Sequence, residues 1–159
     1  MSANHESFIR QCYELARAAE ASGNHPFGAL LARDGCVVLS AENSVHTDHD
    51  CTRHAELNLV SQAVRTLDPQ VVSGSILYTS TEPCAMCSGA IYWAGIRTVV
   101  YGCSATTLGR IAKSSFVVPC RDVFARATQP TVVIGPVLED EGAEIHRLFW
   151  ARTQRTGTS

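Results

Sequence analysis

Apolar and polar positions alternate along this chain with two different periods, which predict helices and strands in turn. Apolar residues recur at helical spacing between Glu6 and Ala21 and between Thr52 and Leu67, so one face of each segment is apolar. Shorter apolar runs bounded by turn residues predict strands. The predicted elements are a helix at 6–21, strands at 27–32 and 36–40, a helix at 52–67, a strand at 76–79, a helix at 85–93, a strand at 98–101, a helix near 121–126, a strand at 131–134 and a helix at 139–152.

The connections between these elements indicate how the sheet is built. Asp34-Gly35 separates the first two strands, and this dipeptide favours a tight hairpin turn. Pro69 should end the second helix, whereas residues 104–119 show no clear period and receive no assignment. A hairpin followed by alternating helices and strands predicts an α/β fold, in which a mixed five-stranded sheet carries helices on its faces.

Length and composition predict one compact domain. The chain has 159 residues, of which 45% are hydrophobic and 18% charged. We expect residues 1–152 to form the domain and residues 153–159 to form a flexible tail. No apolar run is long enough to span a membrane, and residues 1–11 lack the apolar centre of a signal peptide. We therefore expect a cytoplasmic protein without a membrane partner.

The net charge of the chain bears on whether its partner is a nucleic acid. Thirteen Lys and Arg residues stand against fifteen Asp and Glu residues, which gives a formal net charge of −2. Because binding to nucleic acid normally depends on a basic surface, this balance argues against a nucleic-acid partner.

Cys84 and Cys87 are the one close pair among seven cysteines. They lie where a predicted strand is followed by a predicted helix, and residues three apart lie on one helix face. A helix N-terminus favours thiolates, which are the form of cysteine that binds metals. From this pair alone, a metal site, a buried thiol pair and a redox Cys-x-x-C all remain open.

The run His54-Ala55-Glu56 favours the metal site over the other two interpretations of the cysteine pair. It begins another predicted helix, and residues two apart on an ideal helix point in nearly opposite directions. His54 and Glu56 can therefore share a site only at the helix entry. Taken singly, His54 is typical of a structural histidine and Glu56 of a solvated first-turn carboxylate.

Together, His54, Cys84 and Cys87 would give a metal ion three ligands and one open position, which is typical of catalytic zinc. Zinc lowers the pKa of water at the open position, and Glu56 is available to move the proton. The alternative is a structural site whose fourth ligand comes from a nearby residue. The nearby candidates are His46, His49 and Cys51.

The run His54-Ala55-Glu56 and the run from Pro83 to Cys87 resemble the H-x-E and P-C-x-x-C signature of zinc nucleobase deaminases. The chain is similar to the cytidine deaminase-like superfamily from Phe27 to Trp150. This resemblance implies a three-layer α-β-α sandwich and one zinc ion per chain. It also implies hydrolytic deamination, in which zinc-bound hydroxide attacks the base and ammonia leaves.

The resemblance also implies a set of residues that bind the base, namely Phe27, Asn43, Ala55, Trp93 and Trp150. Phe27 should border the base, Asn43 should hydrogen-bond to its edge, and the backbone N–H of Ala55 should bind a ring atom. Trp93 should add an aromatic wall. Either Phe149 or Trp150, at the end of the last helix, should fold over the pocket as a lid. Core packing is the alternative for the rings, and a turn is the alternative role for Asn43.

The amino-acid sequence around the motifs resembles that of one branch of the superfamily. Residues 81–91 resemble the corresponding segment of guanine deaminases, cytosine deaminases and tRNA adenosine deaminases. Pro26-Phe27-Gly28 resembles the corresponding segment of the enzymes that act on free bases. We expect a deaminase of free nucleobases of guanine, cytosine or azine type. It should be a homodimer, because the helix at 85–93 is too apolar to expose. A tRNA-specific adenosine deaminase is the alternative, followed by a non-catalytic, zinc-stabilised interaction domain.

One departure from the branch concerns substrate recognition. Guanine deaminases of this kind carry an acidic residue that reads the purine edge, but residues 104–115 contain no carboxylate. The remaining candidates for this role are Glu139, Asp140, Glu141 and Glu144.

Overall fold

A computed structural model describes residues 2–157 of the chain. Its strands are β1 (Gly28–Arg33), β2 (Cys36–Glu42), β3 (Ile76–Thr81), β4 (Thr98–Cys103) and β5 (Val132–Ile134). Its helices are α1 (Ser2–Ala21), α2 (Ala55–Thr66), α3 (Pro69–Ser73), α4 (Ala85–Trp93), α5 (Ala105–Ala112), α6 (Cys120–Phe124) and α7 (Glu139–Thr156). No helix within residues 2–157 is both long enough and apolar enough to cross a membrane.

The strands form one mixed sheet in the order β2-β1-β3-β4-β5. β1 is antiparallel to both β2 and β3, whereas β3, β4 and β5 run parallel. The carboxyl ends of β3 and β4 therefore meet at one edge of the sheet, which is where ligands usually bind in α/β folds. This arrangement confirms the predicted mixed five-stranded sheet.

Alternating side chains of the strands supply two separate hydrophobic cores. Leu31 and Leu77 pack in the core that includes residues of α2 and α4, whereas Leu30 and Tyr78 pack in the core that includes residues of α1 and α7. This alternation follows from the two-residue repeat of a strand. Helices thus cover both faces of the sheet, as expected for a three-layer sandwich.

The predicted hairpin turn between β1 and β2 is confirmed. Asp34 and Gly35 have φ values of 51° and 79°, and the flanking residues Arg33 and Cys36 are paired. A two-residue turn with both φ angles positive matches the right-handed twist of the strands that it joins.

Two helices lie where none was predicted. The second helix does end before Pro69, but Pro69 then begins the short helix α3, because Asp68 accepts a hydrogen bond from the N–H of Gln70 at 2.8 Å. Proline is well tolerated at a first helical position, where its missing N–H has no partner to lose. Residues 104–119 contain α5, whose N-cap is the hydroxyl of Ser104.

Two element boundaries differ from prediction and bear on function. α2 begins at Ala55 rather than at residue 52, so His54 stands at the helix entry. α7 continues through Thr156, so the predicted tail is helical over its first four residues, 153–156. Residues 158–159 of that predicted tail lie outside the described residues.

Candidate active site

Two helix N-termini meet at the carboxyl edge of the sheet and present the three predicted metal ligands. His54 and Cys84 are the residues that immediately precede α2 and α4, and both have extended backbone, with ψ of 152° and 173°. Cys87 lies inside the first turn of α4 and is buried. Because the chain turns into each helix at these points, the side chains of His54 and Cys84 can be directed towards each other.

The three ligand atoms are close enough to hold one metal ion. Nδ1 of His54 lies 3.6 Å from Sγ of Cys84 and 3.7 Å from Sγ of Cys87. All three atoms lie within 4.8 Å of one another. A tetrahedral zinc ion, with Zn–S of about 2.3 Å and Zn–N of about 2.0 Å, separates nitrogen from sulfur by about 3.5 Å. The donor set therefore fits zinc in both chemistry and spacing.

Among the residues that the structure describes, no fourth His, Cys, Asp or Glu joins this group. Of the three nearby candidates for a fourth ligand, His46 contacts His25, while His49 and Cys51 are exposed. The described residues thus leave one tetrahedral position for water or substrate, which is the pattern of a catalytic site.

The pKa values of the two thiols are shifted in opposite directions. Hydrogen bonding from Cys87 and His54 lowers the pKa of Cys84 to about 4, despite the opposing effect of burial. The pKa of Cys87 is raised, because its proton is held by the sulfur of Cys84 and because it is buried. A cation bound between the sulfurs would take the place of this proton.

Glu56 lies beside the ligands without belonging to their group. Its side chain is only 4% exposed, and Oε1 accepts a hydrogen bond of 2.9 Å from the hydroxyl of Thr79. Burial raises the pKa of Glu56 above its usual value. A carboxyl group with a raised pKa is suited to take up and release a proton near neutral pH. Thr79 holds this carboxyl group in one orientation.

Residues 2–103 match the family model described as the cytidine and deoxycytidylate deaminase zinc-binding region. The chain belongs to this family. The matched segment contains His54, Glu56, Cys84 and Cys87, so zinc is the metal of the site, as predicted. The prediction of a zinc-dependent deaminase is confirmed at the level of the family.

Similar proteins act on different substrates. A probable cytosine deaminase of Schizosaccharomyces pombe is 38% identical over 150 residues, which cover 91% of each chain. A tRNA-specific adenosine deaminase of Bacillus subtilis is 30% identical over 118 residues, covering 70% of this chain and 73% of the relative. The structure of a guanine deaminase from Nitrosomonas europaea superimposes with a TM-score of 0.79 at 26% identity, covering 92% of this chain and 84% of the other. The fold is shared, whereas the substrate differs among these proteins.

A second set of polar residues extends from Glu56 to the last helix of this deaminase. Thr79 and Thr81 lie on the same face of β3, since they are two residues apart on a strand. The hydroxyl of Thr81 lies 2.8 Å from Nε2 of His146, which is 2% exposed. Burial lowers the pKa of His146 to about 4, so its ring is neutral. Sequence reasoning missed both threonines and His146.

Glu82 was also missed, and it fixes the loop that leads to Cys84. Its buried carboxylate accepts the backbone N–H groups of Ala105 and Cys120, both at 2.8 Å. These residues begin α5 and α6, whose free N–H groups and dipoles favour a negative charge. One side chain thus anchors two helices beside the metal ligands.

Of three predicted substrate residues, Ala55 follows His54 in the chain, and Asn43 is hydrogen-bonded to Phe27. Asn43 donates its backbone N–H to the carbonyl of Phe27 at 3.1 Å, and its Oδ1 accepts the N–H of Val45 at 3.1 Å. The turn role considered for Asn43 is therefore present, and a substrate contact would fall to its Nδ2. Ala55 is the first residue of α2, and the N–H of such a residue has no acceptor within its helix.

The two predicted tryptophans differ in position. Trp93, at the end of α4, is 84% exposed and packs against Tyr92 rather than near the ligands. Trp150 packs against His25, with ring centroids 5.4 Å apart, and His25 is two residues before Phe27. The structure thus places Trp150 near the segment that leads to Phe27, and it gives no support to Trp93 as a wall of the predicted pocket.

The hydrogen bonds and ion pairs of the acidic residues of α7 do not involve the metal ligands. Glu139 accepts hydrogen bonds from the backbone N–H and hydroxyl of Ser104. Glu141 and Glu144 form exposed ion pairs with arginines, and Asp140 is exposed. The residue of α7 that packs against Phe27 is His146, with ring centroids 5.2 Å apart.

Replacing Cys87 by alanine should abolish zinc binding, because two protein ligands remain where three are needed. Metal analysis of the purified protein should give one zinc per chain for the wild type and none for this variant. Cys103→Ala is the matched control, because Cys103 is equally buried and binds no metal. Full zinc content in Cys87→Ala would show that another residue supplies the third ligand.

Glu56→Gln should keep zinc and lose turnover. Glutamine preserves size and polarity but cannot carry the proton, and a general acid–base group accelerates a reaction by about 10²–10⁴-fold. Steady-state rates together with zinc content measure the two effects separately. Thr79→Val should show a smaller loss of kcat, which Thr79→Ser restores. Turnover of Glu56→Gln within a few fold of wild type would mean that another group moves the proton.

Proposed function

We propose that this protein is a hydrolytic deaminase of free nucleobases or base analogues, of guanine, cytosine or azine type. The observation that carries this proposal is the buried carboxyl group of Glu56 beside a metal site with one open position. Zinc supplies a Lewis acid that lowers the pKa of water. Glu56 then accepts a proton from the attacking water and donates it to the departing amine. Water replaces the amino group by a carbonyl oxygen, and ammonia is released.

Residues from three segments would orient the base. The ring of Phe27 offers a face for stacking, since it is partly buried at the entry to β1. The N–H of Ala55 and the side chain of Asn43 supply hydrogen bonds to the edge of the base. His146 packs against Phe27 and adds a neutral polar group beside the ring.

Activity on a tRNA anticodon loop is the second candidate, because a tRNA-specific adenosine deaminase is among the similar proteins. Two observations favour a free base instead. The net charge of −2 provides no excess of cations for phosphate contacts. Of two relatives that span about nine tenths of this chain, the probable cytosine deaminase is 38% identical and a tRNA-specific adenosine deaminase of Agrobacterium fabrum is 32% identical.

Ammonia release from a panel of free purines, pyrimidines and azines should identify a substrate whose kcat/KM changes little between 50 and 200 mM salt. Binding that depends on several phosphate contacts would instead weaken by about 10³-fold or more over the same range. A tRNA anticodon stem-loop and free nucleosides complete the panel. Activity on the stem-loop alone, falling steeply with salt, would assign the enzyme to the tRNA-acting group.

The end of α7 is proposed to close the pocket. Trp150 and Phe149 both contact the ring of His25, with centroids 5.4 and 5.8 Å apart, so they reach the segment that carries Phe27. A cover at this position would exclude water and leave little room for a ribose. This supports a preference for bases over nucleosides.

Trp150→Ala should raise KM or lower kcat for the base while changing the melting temperature only modestly. Leu148→Ala is the control, because Leu148 lies on the same helix and is exposed. Kinetics and thermal unfolding of both variants should be measured together. If Trp150 only docks α7 on the domain, its loss should cost about 3–5 kcal/mol of stability and leave the kinetics of the folded fraction unchanged.

The proposal also includes that the protein forms a homodimer and that it is located in the cytoplasm. α4 exposes the apolar side chains of Met86 and Trp93, and burial of these side chains against a second copy would be favourable. All seven cysteines are unpaired, as is usual in a reducing compartment. Sedimentation velocity at micromolar concentration should give the mass of a dimer, and a monomer would contradict this assembly.

A further inference from the structure

Two histidines outside the catalytic group face each other through their ring nitrogens. Nε2 of His25 lies 3.1 Å from Nε2 of His46, and the two rings are nearly perpendicular, at 83°. His25 precedes Pro26 and Phe27, while His46 lies on the loop between β2 and α2. The proton transfers proposed above involve neither ring, although His25 also contacts the rings of Phe149 and Trp150.

Asn24 holds the two histidines in this arrangement. Its buried Oδ1 accepts the backbone N–H groups of His46 and Thr47, each at 3.0 Å, and its Nδ2 donates to the hydroxyl of Thr47 at 3.1 Å. Asn24 is also the chain neighbour of His25. One buried side chain therefore fixes the backbone on both sides of the pair, so the nitrogens are held near each other before any ligand binds.

The spacing of the two nitrogens suits a metal ion. Two imidazoles bound to one ion, at about 2.0–2.1 Å and at angles between square and tetrahedral, have nitrogens about 2.9–3.4 Å apart. Burial lowers the pKa of His25 to about 4, so its ring is neutral and keeps the lone pair that a metal requires. In the protein without added metal, one imidazole N–H donates to the other nitrogen, and a cation can replace that shared proton.

We propose that His25 and His46 form a second divalent-metal site, separate from the catalytic one and selective for ions that favour imidazole, such as Zn²⁺. A cavity of about 450 Å³ beside the pair has room for the water molecules that complete the coordination. Its lining includes Glu20, Phe149 and Thr153.

This site is weaker than the catalytic one. Within residues 2–157, the cluster of three ligands at His54, Cys84 and Cys87 has no counterpart around His25 and His46. Two neutral ligands without a thiolate bind zinc less tightly than two thiolates and an imidazole. The pair therefore fills only when free metal is in excess, after the catalytic site is occupied.

Titration of the enzyme that already holds one zinc per chain, with Zn²⁺ alone and followed by calorimetry, should reveal a second and weaker binding event. His25→Gln and His46→Gln should each lower the affinity of that event by more than about tenfold, because even the loss of a residue that only orients a ligand costs about 10- to 100-fold. Glutamine retains hydrogen bonding at the position of Nε2. The zinc content before titration should stay at one per chain, which verifies that both variants are folded.

Two control variants separate the histidine pair from other exposed ligands. His49→Asn removes an exposed histidine of the same loop, and asparagine tolerates the positive φ of 51° at this position. Cys51→Ser removes a nearby exposed thiol. Both should keep the second binding event. A wild-type titration without such an event, its persistence in both glutamine variants, or its loss in Cys51→Ser would overturn the proposal.

Discussion

The chemistry of this protein depends on two helix N-termini that meet at one edge of a sheet. The partial positive charges of these N-termini would oppose each other if no anion lay between them. The thiolate of Cys84, whose pKa is lowered to about 4, supplies negative charge there. With zinc present, two thiolates balance the two positive charges of the ion, so the site as a whole is close to neutral.

The position of Glu56 follows from the same arrangement. His54 immediately precedes α2 and Glu56 lies in its first turn, so the helix that follows the ligand also buries the carboxyl group beside it. Burial alone would leave a costly polar group without a partner, and Thr79 supplies the hydrogen bond that offsets this cost. Glu82 anchors the neighbouring loop by a similar principle, since its carboxylate binds the N-termini of α5 and α6. The site is therefore held by buried hydrogen bonds as well as by the metal.

Local patterns in the sequence were sufficient to predict the elements that carry the ligands. The Asp34-Gly35 dipeptide predicted the hairpin, and the period of the apolar residues predicted the strands of the sheet. The spacing of Cys84 and Cys87 indicated that both could bind one metal ion. What could not be predicted depends on contacts between distant segments. The hydrogen bond between Thr79 and Glu56, and the one between Thr81 and His146, each join two elements whose approach no local pattern encodes.

Two other differences have local causes that periodicity does not detect. Pro69 ends one helix and is also a favourable first residue for the next. The side chain of Asp68 caps the N-terminus at this point, and α3 therefore forms. α5 is short, so its eight residues contain too few turns for a clear period, although Ser104 at its N-cap is a usable signal. Trp93 lies at the end of α4, where its ring projects into solvent rather than towards the ligands.

The most direct test of this account is X-ray absorption spectroscopy at the zinc edge of the purified protein. The account predicts two sulfur ligands at about 2.3 Å, one imidazole nitrogen at about 2.0 Å and one further light atom from water. The fourth distance should change when a base analogue is added, because the open position is where the reaction takes place. Three or four sulfur ligands, or a second imidazole with no response to the analogue, would identify a closed structural site and contradict the account.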